Sequence, residues 1–328
     1  MVMSGQGKII VFGASGNVGQ YLIEYLKTKI PAENIIAVDI VESEVLKYHQ
    51  VPFIQIDINN PQDFEKLPQD NIDAVVDLIG PMPAKMIGYH PREYVQTNIL
   101  GTFNIGEYCV ANKVKKMIYA RSFCDILERA EKEDATLKVN TPPLFDYGNF
   151  HSVYSVSQIS AVELLKCLHF FYKLPLIVFR LPTIYLWSKN DQYAVQGVMQ
   201  KKMYRKLIDD AIEGKDLTIW GDPGRKKDMF YVKDLCRLLY MAIESDVDYG
   251  FYNAGTGIGT SLQQQIEGII KVFDEKGTVT IKYDHTKPNA PQYIMDISEA
   301  EKDFGYSPEY SYLEMLRDMK KERARGLY

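Results

Sequence analysis

Cysteine is scarce in this chain. Only four occur in 328 residues, and no two of them form a CxxC pair. Cys109, Cys124, Cys167 and Cys236 therefore read as reduced thiols of a cytoplasmic protein, not as a zinc ribbon or a disulfide framework. The five histidines form no HxxxH or HExxH group, so no metal site is expected. No apolar run approaches the ~20 residues that a bilayer span needs, and no signal-peptide core precedes the first strand. These absences argue against a membrane protein. Positive charge is not in excess either, since the net charge is −5 and the pI near 5.7. Nothing in that balance calls for a nucleic-acid partner. The basic run Lys320, Lys321, Arg323 and Arg325 is interrupted by Glu322 and reads as a solvated helix end. Internal repeats and low-complexity segments are missing as well.

What is present begins with four apolar residues, Ile9-Ile10-Val11-Phe12, which run into Gly13-Ala14-Ser15-Gly16-Asn17-Val18-Gly19. A strand that breaks into a glycine-rich turn and restarts as a helix offers bare backbone N–H groups to an anion. Gly13 is expected to make the tight turn, Gly16 to let a pyrophosphate approach the backbone, and Gly19 to let the helix pack on the sheet. Ser15, Asn17 and Val18 complete this loop. Asp39 closes the next apolar run, where a carboxylate can accept hydrogen bonds from ribose hydroxyls and repel a 2′-phosphate. The arrangement points to NAD in preference to NADP.

Further apolar runs, Val51–Ile56, Ala74–Ile79, Lys116–Ala120 and Leu176–Phe179, alternate with helical patterns over Glu93–Asn112 and Val153–Tyr172. Alternation of this kind predicts an α/β fold, a Rossmann-type doubly wound parallel sheet. Regularity falls over 181–228 and 255–328. We therefore expect an NAD-binding domain over 1–180, with 229–254 packing back on it. The two less regular stretches would form a smaller, discontinuous C-terminal substrate lobe over the carboxyl ends of the strands.

Ser122 follows the strand Lys116–Ala120, and some thirty residues later Tyr154-Ser155-Val156-Ser157-Gln158 opens a long helix. Tyr154 and Gln158, four apart, share a helix face. Together with the glycine triplet and Asp39, these residues make the chain resemble the extended short-chain dehydrogenase/reductase family, in particular its NAD-dependent nucleotide-sugar epimerases and dehydratases. The resemblance runs over nearly the whole chain. It extends through Asp57-Ile58, Leu78-Ile79-Gly80, Asn98, Gly101-Thr102, Arg180-Leu181-Pro182, Trp220-Gly221-Asp222, Asp228 to Asp234, Tyr252 to Gly255 and Phe304 to Pro308.

The resemblance implies that NAD is held by Gly13, Ser15, Gly16, Asn17, Val18, Gly19, Asp39, Asp57, Ile58, Leu78, Ile79, Gly80, Asn98, Tyr154, Gln158 and Leu181. It implies a nucleoside-diphosphate sugar as substrate, met by Ser122, Thr183, Arg225 and Lys227. Tyr154 would be the acid/base at a sugar hydroxyl, with Ser122 sharing the hydrogen bond. A homodimer is implied too, paired through the two long helices with Phe103, Tyr108, Leu164 and Phe171.

The chain departs from the family where a lysine normally follows the tyrosine by four residues, because Gln158 stands there. A phenol of ordinary pKa about 10 is a poor base at neutral pH without a nearby cation. The only literal YxxxK, Tyr25 to Lys29, lies on the first helix and reads as a coincidence. Arg121 replaces a small residue beside the serine. Either its guanidinium supplies the missing charge, or it points to solvent or to a partner helix. Residues 127–150, with Glu128, Glu131, Glu133 and Asp134, form a charged insert that is a lid, an interaction loop or a solvated excursion. Three functions follow: a nucleotide-sugar epimerase or dehydratase, an NAD-binding protein with weak or no turnover, and a reductase or isomerase on another substrate.

Overall fold

The computed structural model describes residues 7–81, 89–132, 136–149, 151–195 and 198–328. Glu133 and Asp134 of the charged insert lie outside these. Seven parallel strands form the centre: β1 (Lys8–Phe12), β2 (Ile35–Asp39), β3 (Phe53–Gln55), β4 (Ile72–Asp77), β5 (Met117–Ser122), β6 (Leu176–Leu181) and β7 (Tyr249–Asn253). Across the sheet they run β7-β6-β5-β4-β1-β2-β3. Every residue of β4 is buried, as a strand covered on both faces requires. Chain order reverses at the β1–β4 pair, and open sheets bind ligands beyond the carboxyl ends at such a point.

The principal helices are α1 (Asn17–Lys27), α2 (Thr102–Ala111), α3 (His151–Tyr172), α4 (Met203–Glu213), α5 (Val232–Glu244), α6 (Leu262–Phe273) and α7 (Tyr312–Arg325). On one face of the sheet Val11, Ala74, Ile118 and Phe179 pack with Leu22 and Leu26 of α1 and Leu235 and Leu239 of α5. On the other, Phe12, Val75, Tyr119 and Val178 pack with Ile105 of α2 and Val162 and Leu165 of α3. Each such large side chain contributes about 1.5–3 kcal/mol of burial. Beyond the sheet, short paired strands build the smaller layer, Lys226–Asp228 against Gly259–Ser261 and Leu217–Trp220 against Ile281–Asp284. There the buried Asp228 carboxylate accepts from the Thr256 N–H and hydroxyl, the Gly257 N–H and the Met295 N–H.

One expectation needs correction. The pattern over 93–112 predicts an unbroken helix with Val95 and Leu100 in the core. The chain instead makes a short turn at Pro91–Tyr94, a π-helical stretch at Val95–Gly101, and then α2. The wider turn carries Asn98 and Gly101 inward and leaves Val95 and Leu100 outside, 43% and 55% exposed. Such π stretches are rare and occur frequently at functional sites. A Cβ on Gly101 would lie 2.5 Å from Ile58 Cδ1, so a larger residue there would have to displace that side chain. Of the residues expected at a pairing face, Phe171 is exposed, but Tyr108 is buried and donates its hydroxyl to the Pro68 carbonyl. Tyr108 belongs to the chain's own core.

Candidate active site

The loop after β1 is shaped by backbone contacts. Gly13 sits at φ +77°, where a side chain is strained, and its Cα faces the Leu78–Ile79 peptide at the end of β4. A Cβ on Gly19 would stand 2.2 Å from the Gly13 carbonyl oxygen and 2.7 Å from Ala14 Cα. Gly16 precedes α1 as its N-cap and supplies no side-chain cap, so the first-turn N–H groups keep their capacity for an anion. Val18 packs against the core behind the loop. The Asp39 carboxylate accepts from the Ser15 N–H at 3.0 Å and the Ile40 N–H at 2.8 Å. Asn17 Oδ1 accepts from the Ser188 hydroxyl at 3.1 Å, which joins the loop to the chain beyond β6. A glycine cradle that any Cβ would fill, an uncapped helix start and a carboxylate at the tip of β2 fit a pyrophosphate and a ribose diol.

Farther along the same edge, Asp57 is exposed and accepts from the Asn59 N–H, while Ile58 is buried. Past β4, Gly80 brings two side chains together: a Cβ there would be 3.6 Å from both Asn98 Oδ1 and Gln158 Nε2. Asn98 is buried and donates to the Ser157 hydroxyl at 2.9 Å, yet its Oδ1 has no partner among the described residues. Leu78 and Ile79 lead into this point, and the Ile79 N–H donates to Asp77 Oδ1 at 2.9 Å.

Asp77 is fully buried, and burial pushes its pKa up to about 7. The folded value lies above that of the unfolded chain. The stability that goes with the protonated form is therefore complete below about pH 4 and is lost as pH rises through about 7. Asp77→Asn keeps the Ile79 hydrogen bond without a charge to bury. Denaturant unfolding is expected to show it more stable than the wild type by about 2–4 kcal/mol at pH 8, with the gap closing toward pH 4. A pH-independent difference would mean that Asp77 carries no buried charge.

Ser122, Tyr154 and Gln158 are brought together although 36 residues separate the first from the last. Gln158 Oε1 accepts from the Ser122 N–H at 2.8 Å, which pins the end of β5 to the first turns of α3. The Ser122 hydroxyl donates to Cys124 Sγ at 3.1 Å and accepts from the Cys124 N–H. Tyr154 is buried, its ring edge-on to Tyr94 with centroids 5.7 Å apart. Burial drives its phenol well above the ordinary range and Cys124 adds to this, while Ser122, Gln158 and Arg121 pull the other way.

Arg121 does not point to solvent. It is 3% exposed and pairs with Asp125 at 2.6 Å. Arg180, its register neighbour on β6, reaches the same carboxylate oxygen at 3.4 Å. Lys29 of the YxxxK match lies over the Tyr25 and Tyr240 rings, at the far end of α1 from the loop.

Leu181 ends β6, and its carbonyl accepts from the Phe123 N–H. Thr183 is exposed just beyond it. Lys227 bridges to Tyr293, whose ring packs edge-on to Phe123 at 4.7 Å, so the Lys226–Asp228 strand sits beside the Ser122 turn. Arg225 is half-buried and donates from Nε to the Ala290 carbonyl. Sequence reasoning missed Cys124, Phe123, Tyr293 and Ser188. Phe123 and Cys124, within two residues of Ser122, carried a local signal, and Tyr293 and Ser188 carried none.

A family profile described as "NAD dependent epimerase/dehydratase family" matches residues 9–255. The chain is 27% identical over 323 residues to a UDP-glucuronate 4-epimerase of Thermodesulfobacterium geofontis, covering 95% of this chain and 94% of that one. It is 24% identical over 327 residues to a dTDP-glucose 4,6-dehydratase of Haemophilus influenzae, covering 92% and 88%. Among solved structures it superposes on a UDP-glucuronic acid 4-epimerase from Bacillus cereus in complex with NAD. That match has a TM-score of 0.73 and 25% identity, over 97% of this chain and 98% of the other.

Proposed function

Because the chain belongs to the NAD-dependent epimerase/dehydratase family, we propose that it is a 4-epimerase of a nucleoside-diphosphate sugar. One observation carries the choice of epimerisation over dehydration. The groups that act most on the Tyr154 phenol are the Cys124 thiol, the Ser122 hydroxyl, the Gln158 amide and the Arg121 guanidinium, none of them a carboxylate. Epimerisation needs one proton moved at one hydroxyl, together with a hydride that leaves and returns. Dehydration needs in addition a base for a carbon-bound proton and an acid for the departing hydroxyl. Asp125, near in sequence, faces Arg121 and Arg180. Burial holds the Cys124 thiol above its ordinary pKa, which keeps it protonated at neutral pH and so unavailable as a base.

NAD would be held by the Gly13–Gly19 loop, Asp39, and the meeting point of Gly80, Asn98 and Gln158, and when bound supplies a hydride acceptor. Tyr154 takes the proton from the sugar hydroxyl and gives it back. Ser122 turns its hydroxyl from Cys124 Sγ to the same sugar oxygen. A sulfur acceptor is weak, so that exchange costs little. Gln158 holds Ser122 through its backbone N–H. Thr183 meets the sugar, and Arg225 and Lys227 meet the diphosphate. Lys227 supplies charge without the bidentate fork of an arginine.

A second reading, NAD and sugar nucleotide bound without turnover, is favoured by the high-lying phenol and the neutral Gln158. A panel of UDP- and dTDP-sugars followed by chromatography separates the two. We expect interconversion of a C4 pair, with no dehydrated product. If no sugar nucleotide binds at millimolar concentration, both readings fall. If one binds unchanged and Gln158→Lys turns it over, the second stands.

A further inference from the structure

We propose that the buried cluster of Arg121, Asp125 and Arg180, two guanidiniums against one carboxylate, supplies the positive potential at Tyr154 that a lysine at position 158 would give. The inference rests on Tyr154 being the acid/base of the reading above.

The geometry starts from strand alternation. Met117 and Tyr119 of β5 pack with Ala161, Val162 and Leu165 of α3. Arg121, two residues beyond Tyr119, faces the same layer. Tyr154 stands seven residues before Ala161, two turns back on the same face of α3. The two side chains therefore share the space between the sheet and the start of α3, at the level where Gln158 holds the Ser122 N–H.

The cluster is closed to solvent, since Arg121, Asp125 and Arg180 are each 4% exposed or less. Both guanidiniums lie over the Phe251 ring, at 5.2 and 4.8 Å from its centroid. Both reach Asp125 Oδ2, and Asp125 Oδ1 has no partner among the described residues. The remaining Arg180 contacts are neutral: the Lys138 and Val139 carbonyls and the Asn253 amide oxygen. One positive charge is thus left over in a region of low polarity, where a charge acts over longer distances than in water. Burial lowers Arg180 to about 10, which leaves it charged at neutral pH. Among the described residues the other groups near Tyr154 are Tyr119 and Ser122 on β5, Cys124 just after it, Gln158 on α3, and Tyr94 before the π-helical stretch. Arg121 is the one cation among these.

Charge-changing variants distinguish potential from packing. Arg121→Gln takes the cluster to neutral and still leaves Asp125 paired with Arg180. Asp125→Asn raises it to two positive charges. The double variant returns it to one, and Arg121→Lys keeps it there. A fluorinated tyrosine placed at position 154, which titrates lower than tyrosine itself, reports the phenol directly by 19F NMR. Its midpoint is expected to rise by about one pH unit in Arg121→Gln and to fall by about one in Asp125→Asn. In the double variant and in Arg121→Lys it is expected close to the wild type. Midpoints that do not move, or single variants that shift the same way, would overturn the proposal. The readout does not depend on turnover. Ordered midpoints in a protein inert toward every sugar nucleotide would reject the function and keep the cluster's role, and active protein with fixed midpoints would do the reverse.

Discussion

Phenylalanine in place of Tyr154 is expected to slow interconversion of the sugar nucleotide by about 10²–10⁴-fold, the usual weight of a positioned acid/base. The substitution removes one oxygen and little else. The ring keeps its edge-on contact with Tyr94 at 5.7 Å. Ser122 retains both Cys124 contacts, and Gln158 Oε1 retains the Ser122 N–H. The phenol's hydrogen bonds with Ser122 and Gln158 are lost, so folding stability should fall by about 1–2 kcal/mol. NAD affinity should hold within a few-fold, because the loop and Asp39 are untouched. The loss belongs in kcat, with substrate binding little altered. Rapid-quench turnover and cofactor titration on the same sample check both halves. Activity within tenfold of the wild type would remove Tyr154 from the chemistry.

The second large effect is expected at Gly19. Alanine there sets a methyl group 2.2 Å from the Gly13 carbonyl oxygen and 2.7 Å from Ala14 Cα. Both are backbone atoms of the turn itself, so no side chain can swing aside. Either α1 moves off the sheet or the turn opens. Overpacking of this kind costs about 1–3 kcal/mol. In the protein without ligand part of that strain is relieved by letting the loop shift. A bound dinucleotide needs the original loop, so the cost reappears in affinity, about 10–100-fold weaker. Calorimetric titration of NAD into Gly19→Ala measures it, with Gly305→Ala as comparison, since a Cβ at Gly305 meets no atom within 4 Å. Gly305 also sits at φ +63°, so that variant carries backbone strain far from the loop and should leave NAD affinity alone. Equal affinities in Gly19→Ala and the wild type would mean that the loop does not hold the cofactor.

The site was legible in sequence where its residues are close in the chain or fixed by a strand end. Gly13, Gly16 and Gly19 show as a spacing, and Asp39 as the end of an apolar run. Ser122 and Tyr154 stand out as a strand end and a helix start. The π-helical stretch left no such mark. The buried positions within and beside it, Tyr94, Asn98, Gly101, Thr102 and Ile105, are close enough to a helical period to pass for an ordinary helix. Arg121 was noticed but its partner was not. Residues 121 and 125 are four apart without sharing a helix, since one lies near the end of β5 and the other in the turn after it. Their pairing depends on Arg180 arriving from β6, which strand register decides and local spacing does not. Tyr293 is a similar case, meeting Phe123 from 170 residues away.

The bond between Ser188 and Asn17 bears on time more than on shape. Ser188 follows β6 into the outer layer, and Asn17 opens α1 directly behind the glycine cradle. The neighbouring Trp187 carbonyl accepts from Tyr21 one turn farther along α1, and Arg205 from α4 stacks on the Trp187 ring. A dinucleotide lying in the cradle would be bordered by this segment, and its release would be slowed to the extent that the segment must first part from α1. Where release is slow, the hydride taken from one sugar waits in place to be returned to the same molecule. On the proposed reaction the cofactor then behaves as a permanent part, neither consumed nor exchanged. Such a protein would need no second enzyme to reoxidise it.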